Sequence, residues 1–83
     1  MITLKEACNK ILRNYGSEFV ISSITDIGYG WVFSVMEKKT GLPLFEPPLI
    51  IHKSTGLLDS FFLPDKKHFA ELEHGSSVPI PNT

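Results

Sequence analysis

The sequence predicts an α+β fold, in which an N-terminal helix packs on a four-stranded antiparallel sheet and a short C-terminal helix follows. Apolar residues recur at helical spacing near the N-terminus. Segments rich in β-branched and aromatic residues come next, and prolines and glycines separate them. Because the chain has 83 residues, we expect residues 1–83 to form one domain.

The first element is a helix over residues 4–14. Thr3 and Glu6 have the spacing of a capping box, in which the Thr3 hydroxyl accepts from the Glu6 N–H and the Glu6 carboxylate accepts from the Thr3 N–H. Gly16 stands where a left-handed cap ends a helix. The apolar stripe that should face the core consists of Leu4, Ala7, Cys8, Ile11, Leu12 and Tyr15.

Four strands are expected at residues 18–24, 29–36, 49–52 and 57–63. Along the second of them, alternation places Tyr29, Trp31, Phe33 and Val35 on one face of the sheet. These aromatic residues are core if that face meets the helix, and an interaction surface if they are exposed. The pattern alone leaves both possibilities open.

The C-terminal part begins with a short helix in which Asp65 is the predicted N-cap and Phe69 and Leu72 face inward. Gly75 ends this helix. The tail at residues 76–83 contains two prolines, so it either lies along a sheet edge or is disordered. A helix laid across an antiparallel sheet is the arrangement of cystatin-like folds, an analogy that by itself gives no function.

Charge and hydropathy exclude several classes of partner. The 8 basic and 9 acidic residues give a net charge of −1, whereas proteins that bind nucleic acid usually carry a basic excess. The longest aliphatic run, residues 49–51, is far shorter than the roughly 20 residues that cross a bilayer. The start of the chain has no signal-peptide pattern. We therefore expect a cytoplasmic protein that binds neither nucleic acid nor membranes.

The sequence also predicts no enzyme activity, no metal and no cofactor. Cys8 lies on the apolar stripe, where a buried thiol is unreactive. His68, Glu71 and His74 are the best metal-ligand candidates, but their spacing winds them around the helix. The glycines of residues 28–30 open a strand, so they lack the helix N-terminus with which glycine-rich loops bind phosphate.

Leu42, Leu44 and Phe45 are the candidate partner-binding residues. They are apolar but stand among turn-forming residues, so they either fold back as a lid or contact another protein. Prolines at 43, 47 and 48 would lower the cost of ordering this segment on binding. We expect the partner surface at residues 41–48, centred on Phe45, and not on the polar side of the first helix.

Several motifs resemble the immunity protein 35 family, which includes YrhB-like proteins. The matching features are a helix directly after Met1, the strand centre Gly30-Trp31-Val32-Phe33, the segment Pro48-Leu49-Ile50-Ile51-His52-Lys53-Ser54-Thr55-Gly56, and the tail Val78-Pro79-Ile80-Pro81. The resemblance implies a bacterial protein without enzyme activity that binds and neutralises a toxin domain, and peptidase-type toxins are among the implied partners. The alternative is a small chaperone-like protein that binds exposed apolar segments.

Overall fold

The computed structural model describes residues 1–43, 48–61 and 66–81, except for the side chain of Phe69. The α+β class is confirmed. The elements are α1 (Leu4–Tyr15), β1 (Phe19–Asp26), β2 (Gly30–Glu37), β3 (Leu49–His52), β4 (Leu58–Ser60), α2 (Lys66–Glu73) and β5 (Ser76–Ser77). The predicted N-cap Asp65 lies outside the described residues.

Among the described residues, the antiparallel sheet has five strands in the order β4-β3-β2-β1-β5, not the four that the sequence predicts. The additional strand is the start of the C-terminal tail. Ser76 pairs with Asp26 and Ser77 with Thr25, and the Val78 N–H donates to the Ile24 carbonyl at 2.9 Å. The start of the tail, residues 76–78, therefore runs along the free edge of β1, one of the two positions predicted for the tail.

Helix α1 begins with a variant of the predicted capping box. The Glu6 N–H donates to the Thr3 hydroxyl at 3.2 Å as expected. The Glu6 carboxylate, however, accepts from the same hydroxyl at 3.2 Å and not from the Thr3 N–H. The helix ends where the Gly16 N–H donates to the Leu12 carbonyl at 2.8 Å, and Gly16 has a φ of 97°.

The main core lies between α1 and one face of the sheet. Ala7, Cys8 and Ile11 are the buried helix residues. The buried sheet residues packed with them are Ile21, Ile24, Trp31, Phe33, Val35, Leu49 and Ile51. Trp31 is only 8% exposed, so it belongs to the core.

A second, smaller core covers the opposite face of the sheet. Val32, Ile50 and Phe61 are buried there, and Ile27 and Leu72 pack against them. Leu72 therefore faces inward as predicted. Strand β4 covers Leu58–Ser60, and the Phe61 N–H still donates to the Pro48 carbonyl at 2.8 Å. Residues 62 and 63 of the predicted strand lie outside the described residues.

Strand β4 forms one edge of the sheet, and all three of its residues are exposed. Antiparallel pairing joins Asp59 to Ile50, so the backbone groups of Leu58 and Ser60 point away from β3. The Ser60 N–H is not left free, because it donates to the Asp59 carboxylate at 2.8 Å. The Asp59 side chain thus accepts a hydrogen bond from one of the backbone donors on this edge.

The helix–sheet packing predicts unequal effects for two neighbouring helix residues. Ile11 is fully buried, whereas Leu12 is only partly buried at the margin of the core. Ile11→Ala should lower the free energy of unfolding by about 3 kcal/mol, because it leaves a cavity. Leu12→Ala should cost about half as much. Urea denaturation measures both, and equal losses would contradict the observed orientation of α1.

Candidate functional site

Residues 37–43, which we call the 37–43 turn, begin at the last residue of β2 and include the first predicted partner-binding residue, Leu42. The Gly41 N–H donates to the Glu37 carbonyl at 2.8 Å, and the Glu37 N–H donates to the Leu42 carbonyl at 2.9 Å. The Thr40 hydroxyl accepts from the Leu42 N–H at 3.3 Å. Gly41 has a φ of 69°, a conformation that glycine adopts without strain. The turn is therefore fixed by local backbone bonds.

Leu42 projects from this fixed turn into solvent. Its side chain is 61% exposed, and the next residue, Pro43, bridges back to Met36 of β2. Leu44 and Phe45, the other two predicted partner-binding residues, lie outside the described residues. The structure thus places one of the three predicted residues, and it places that residue on the surface.

A cleft of about 700 Å³ lies beside the turn, between the end of α1 and the start of β1. We call it the α1–β1 cleft. The described residues that line it are Asn9, Leu12, Arg13, Gly16, Ser17, Phe19, Val20 and Lys38. Lys38 belongs also to the 37–43 turn, so the cleft and Leu42 lie at the same end of the sheet. Sequence reasoning does not find the cleft, because α1 and β1 form it only when they pack.

The opposite end of the sheet carries an ion pair. The Lys53 ammonium lies 2.9 Å from both carboxylate oxygens of Asp26 and 5.1 Å from the centre of the Trp31 ring. The Gly28 N–H also donates to Asp26, at 2.8 Å. The hydrogen bond from Lys53, followed by that from Gly28, lowers the pKa of the Asp26 carboxyl. This cluster fastens the β1–β2 turn to the segment after β3.

Tyr29 corrects one sequence prediction. It does not share a face with Trp31, because it precedes β2 in the turn. Its ring stacks on His52 with a centroid distance of 5.7 Å, and its hydroxyl lies near the Glu71 carboxylate of α2. Partial burial, together with the neighbouring Glu71 carboxylate, raises the pKa of Tyr29 to about 12. Tyr29 thus attaches α2 to the second face of the sheet.

The candidate reactive residues of the sequence lie on two helices that pack on opposite faces of the sheet, Cys8 on α1 and Glu71 and His74 at α2. Cys8 is buried, and this burial raises the pKa of its thiol, so the reactive thiolate is disfavoured. Glu71 and His74 line a shallow hollow with Asp26. Within residues 1–43, 48–61 and 66–81, no three His, Cys, Asp or Glu side chains are placed to hold a metal ion.

The ion pair predicts a pH-dependent contribution to stability. Since the pKa of Asp26 is lowered on folding, its contribution is present above about pH 4 and is lost as the pH falls through the folded-state pKa. Asp26→Asn should lower the free energy of unfolding by about 1 kcal/mol at pH 7 and by much less at pH 3.

The matched control for this ion pair is Asp59→Asn. Asp59 also accepts a local backbone N–H, but it has no ion pair to lose among the described residues. Urea denaturation at both pH values compares the variants. An Asp26→Asn effect that is the same at pH 3 as at pH 7 would mean that the ion pair contributes nothing.

The contact between Tyr29 and α2 is also testable. Oε1 of Glu71 is buried and has no hydrogen-bond partner within the described residues. Tyr29→Phe removes the hydroxyl beside the Glu71 carboxylate while keeping the ring, which should cost about 1 kcal/mol and speed amide exchange in α2 more than in α1. Hydrogen exchange followed by NMR measures this. Equal acceleration in both helices would contradict a local attachment.

Comparison with known proteins gives no relative from which a role could be transferred: no family model matches the chain, and neither does a curated protein or a solved structure. Among the described helices, none is long and apolar enough to cross a membrane. The candidate functional site is therefore defined by the geometry of the 37–43 turn and the adjoining α1–β1 cleft.

Proposed function

We propose that this protein is a cytoplasmic immunity protein, which binds a toxin domain made by the same cell and neutralises it without catalysing a reaction. The observation that carries the proposal is the exposed Leu42 on a backbone-fixed turn. The resemblance of the sequence to the immunity protein 35 family supports the choice of partner. Leu44 and Phe45 follow Leu42 in the chain, and we propose them as its neighbours in the contact.

A fixed turn with an exposed apolar side chain is suited to protein recognition. Binding costs free energy when a flexible loop must be ordered, and the hydrogen bonds of the 37–43 turn already restrict its backbone. Large apolar side chains that enter a pocket of the partner supply much of the binding energy at interfaces. Leu42 can therefore act as an anchor whose position is set before the partner arrives.

Neutralisation by binding needs no chemistry from this chain. A small domain that covers the active site of another protein excludes its substrate, and peptidase-type toxins are the targets that the resemblance suggests. The helix across one sheet face, which we propose to be a cystatin-like arrangement, provides a rigid base for such a contact. The charge of −1 does not favour a nucleic acid as the target.

The test uses Leu42→Asp with the toxin domain encoded next to this protein's gene. A charge at the centre of an apolar contact should weaken binding at least about tenfold, because the carboxylate loses its hydration there. Phe45→Ala should weaken binding at least about thirtyfold through loss of the aromatic anchor. Isothermal calorimetry gives the affinities, and growth of cells that express the toxin domain gives the neutralisation.

Leu57→Asp is the matched control for Leu42→Asp. Leu57 is 64% exposed, but it lies next to β4 at the other end of the sheet, so its substitution should leave the affinity unchanged. If Leu42→Asp binds the toxin domain as tightly as Leu57→Asp and the unaltered protein do, the 37–43 turn is not the surface that contacts the toxin domain. If the neighbouring toxin domain is neither bound nor neutralised, but several unrelated proteins are kept from aggregating, the chaperone-like alternative replaces the immunity function.

A further inference from the structure

The charged residues that line the α1–β1 cleft have one sign. Arg13 and Lys38 are its charged lining residues in the described part of the chain, and both are positive. This pair stands out because the whole chain carries a charge of −1. The nearby carboxylates of Glu18 and Glu37 line an adjoining hollow, whose other described lining residues are Ser17, Lys38 and Lys39, so Lys38 borders both spaces. The cleft thus offers local attraction for a negatively charged group.

The floor of the cleft is apolar. Leu12, Phe19 and Val20 are half-buried there, and the Phe19 ring is supported by the Tyr15 ring at a centroid distance of 5.9 Å. Leu12 and Val20 also line an adjoining hollow of about 160 Å³ whose other described lining residues are Cys8, Ile21, Ile80 and Pro81. The apolar floor therefore continues from Val20 to Ile21 along β1.

Polar side chains lie at the same surface. Asn9 and Ser17 line the cleft and are exposed, so their amide and hydroxyl groups can bond to the backbone of an incoming segment. Five of the eight described lining residues are exposed. Sites for small molecules usually enclose most of the ligand, whereas an open cleft of this kind fits a protruding segment of another protein.

We propose that the α1–β1 cleft receives an acidic segment of the protein partner. A carboxylate of that segment lies between Arg13 and Lys38, and an apolar side chain beside it packs on Leu12, Phe19 and Val20. This inference rests on the proposed function, because it names the chemistry of the partner segment that accompanies the Leu42 contact. Two cations on a chain of net charge −1 match a carboxylate better than the extended phosphate backbone of a nucleic acid.

The position of Lys38 explains why the two contacts belong to one surface. Its N–H donates to the Glu18 carbonyl at 2.8 Å, which fixes the start of the 37–43 turn beside the segment that leads into β1. Arg13 lies in the last turn of α1, where it also offsets the partial negative charge of that helix end. A partner that covers Leu42 can therefore place an acidic loop in the cleft.

The test needs no toxin domain. Two peptides serve as probes: Ac-Gly-Asp-Leu-Glu-Gly-NH2 and its uncharged counterpart Ac-Gly-Asn-Leu-Gln-Gly-NH2. In NMR titrations of the ¹⁵N-labelled protein, the acidic peptide should shift the amide signals of Asn9, Gly16, Ser17 and Lys38. We expect it to bind about tenfold more tightly than the uncharged peptide, because two charge pairs form. Added salt should reduce this difference.

Charge-matched variants decide whether the cleft is responsible. The double variant Arg13→Glu, Lys38→Glu should abolish the preference for the acidic peptide. The double variant Arg13→Gln, Lys38→Gln should also abolish this preference, with a smaller change in net charge. Lys5→Glu with Lys39→Glu changes the net charge equally, but neither residue lines the cleft, so the preference should persist. Urea denaturation confirms that each variant is folded.

The outcomes separate this inference from the proposed function. Leu42→Asp should leave peptide binding unchanged, so a toxin domain that fails to bind while the peptide binds in the cleft would overturn the immunity function alone. The acidic-segment inference would be overturned if the amide signals did not shift or if the two peptides bound equally. It would also be overturned if the Lys5→Glu, Lys39→Glu control lost the preference for the acidic peptide to the same extent. Retained preference in Arg13→Glu, Lys38→Glu would overturn it as well.

Discussion

Strand β2 is buried on both of its faces, and the arrangement of the other elements follows from this constraint. Trp31, Phe33 and Val35 require a cover on one side, and Val32 requires one on the other. Helix α1 supplies the first cover. The second cover consists of Phe61, Ile27 and, from α2, Leu72. The first half of the middle strand therefore leaves neither face to solvent, and exposed sheet surface lies towards the ends and edges of the sheet.

The sequence was sufficient to predict the parts of the fold that depend on apolar periodicity. The stripe of α1 and the alternation of β2 gave the helix–sheet core, because burial of such patterns stabilises one orientation. Strand β5 was not predictable in this way. Its two serines carry no apolar signal, and only backbone pairing with Thr25 and Asp26 makes them a strand.

Tyr29 and Lys53 show a second limit of sequence reasoning. Alternation extends only as far as the strand, and Tyr29 follows Gly28, whose φ of 99° interrupts the extended backbone. Asp26 and Lys53 are 27 residues apart, so their contact depends on the topology. The candidate site shows the same dependence on topology. Leu42 can be identified from its local sequence, whereas Arg13 lies on the polar side of α1 and lines the cleft only because β1 packs beside the helix.

The hydrogen bond from the Ser60 N–H to Asp59 affects how copies of this protein behave at high concentration. An exposed edge strand is a template on which a second copy can add its own edge, and repeated addition produces fibres. Here one edge donor is already occupied. If two β4 strands paired about their centres, their Asp59 carboxylates would face each other, which is unfavourable. Addition of further copies along this edge at high protein concentration is therefore disfavoured.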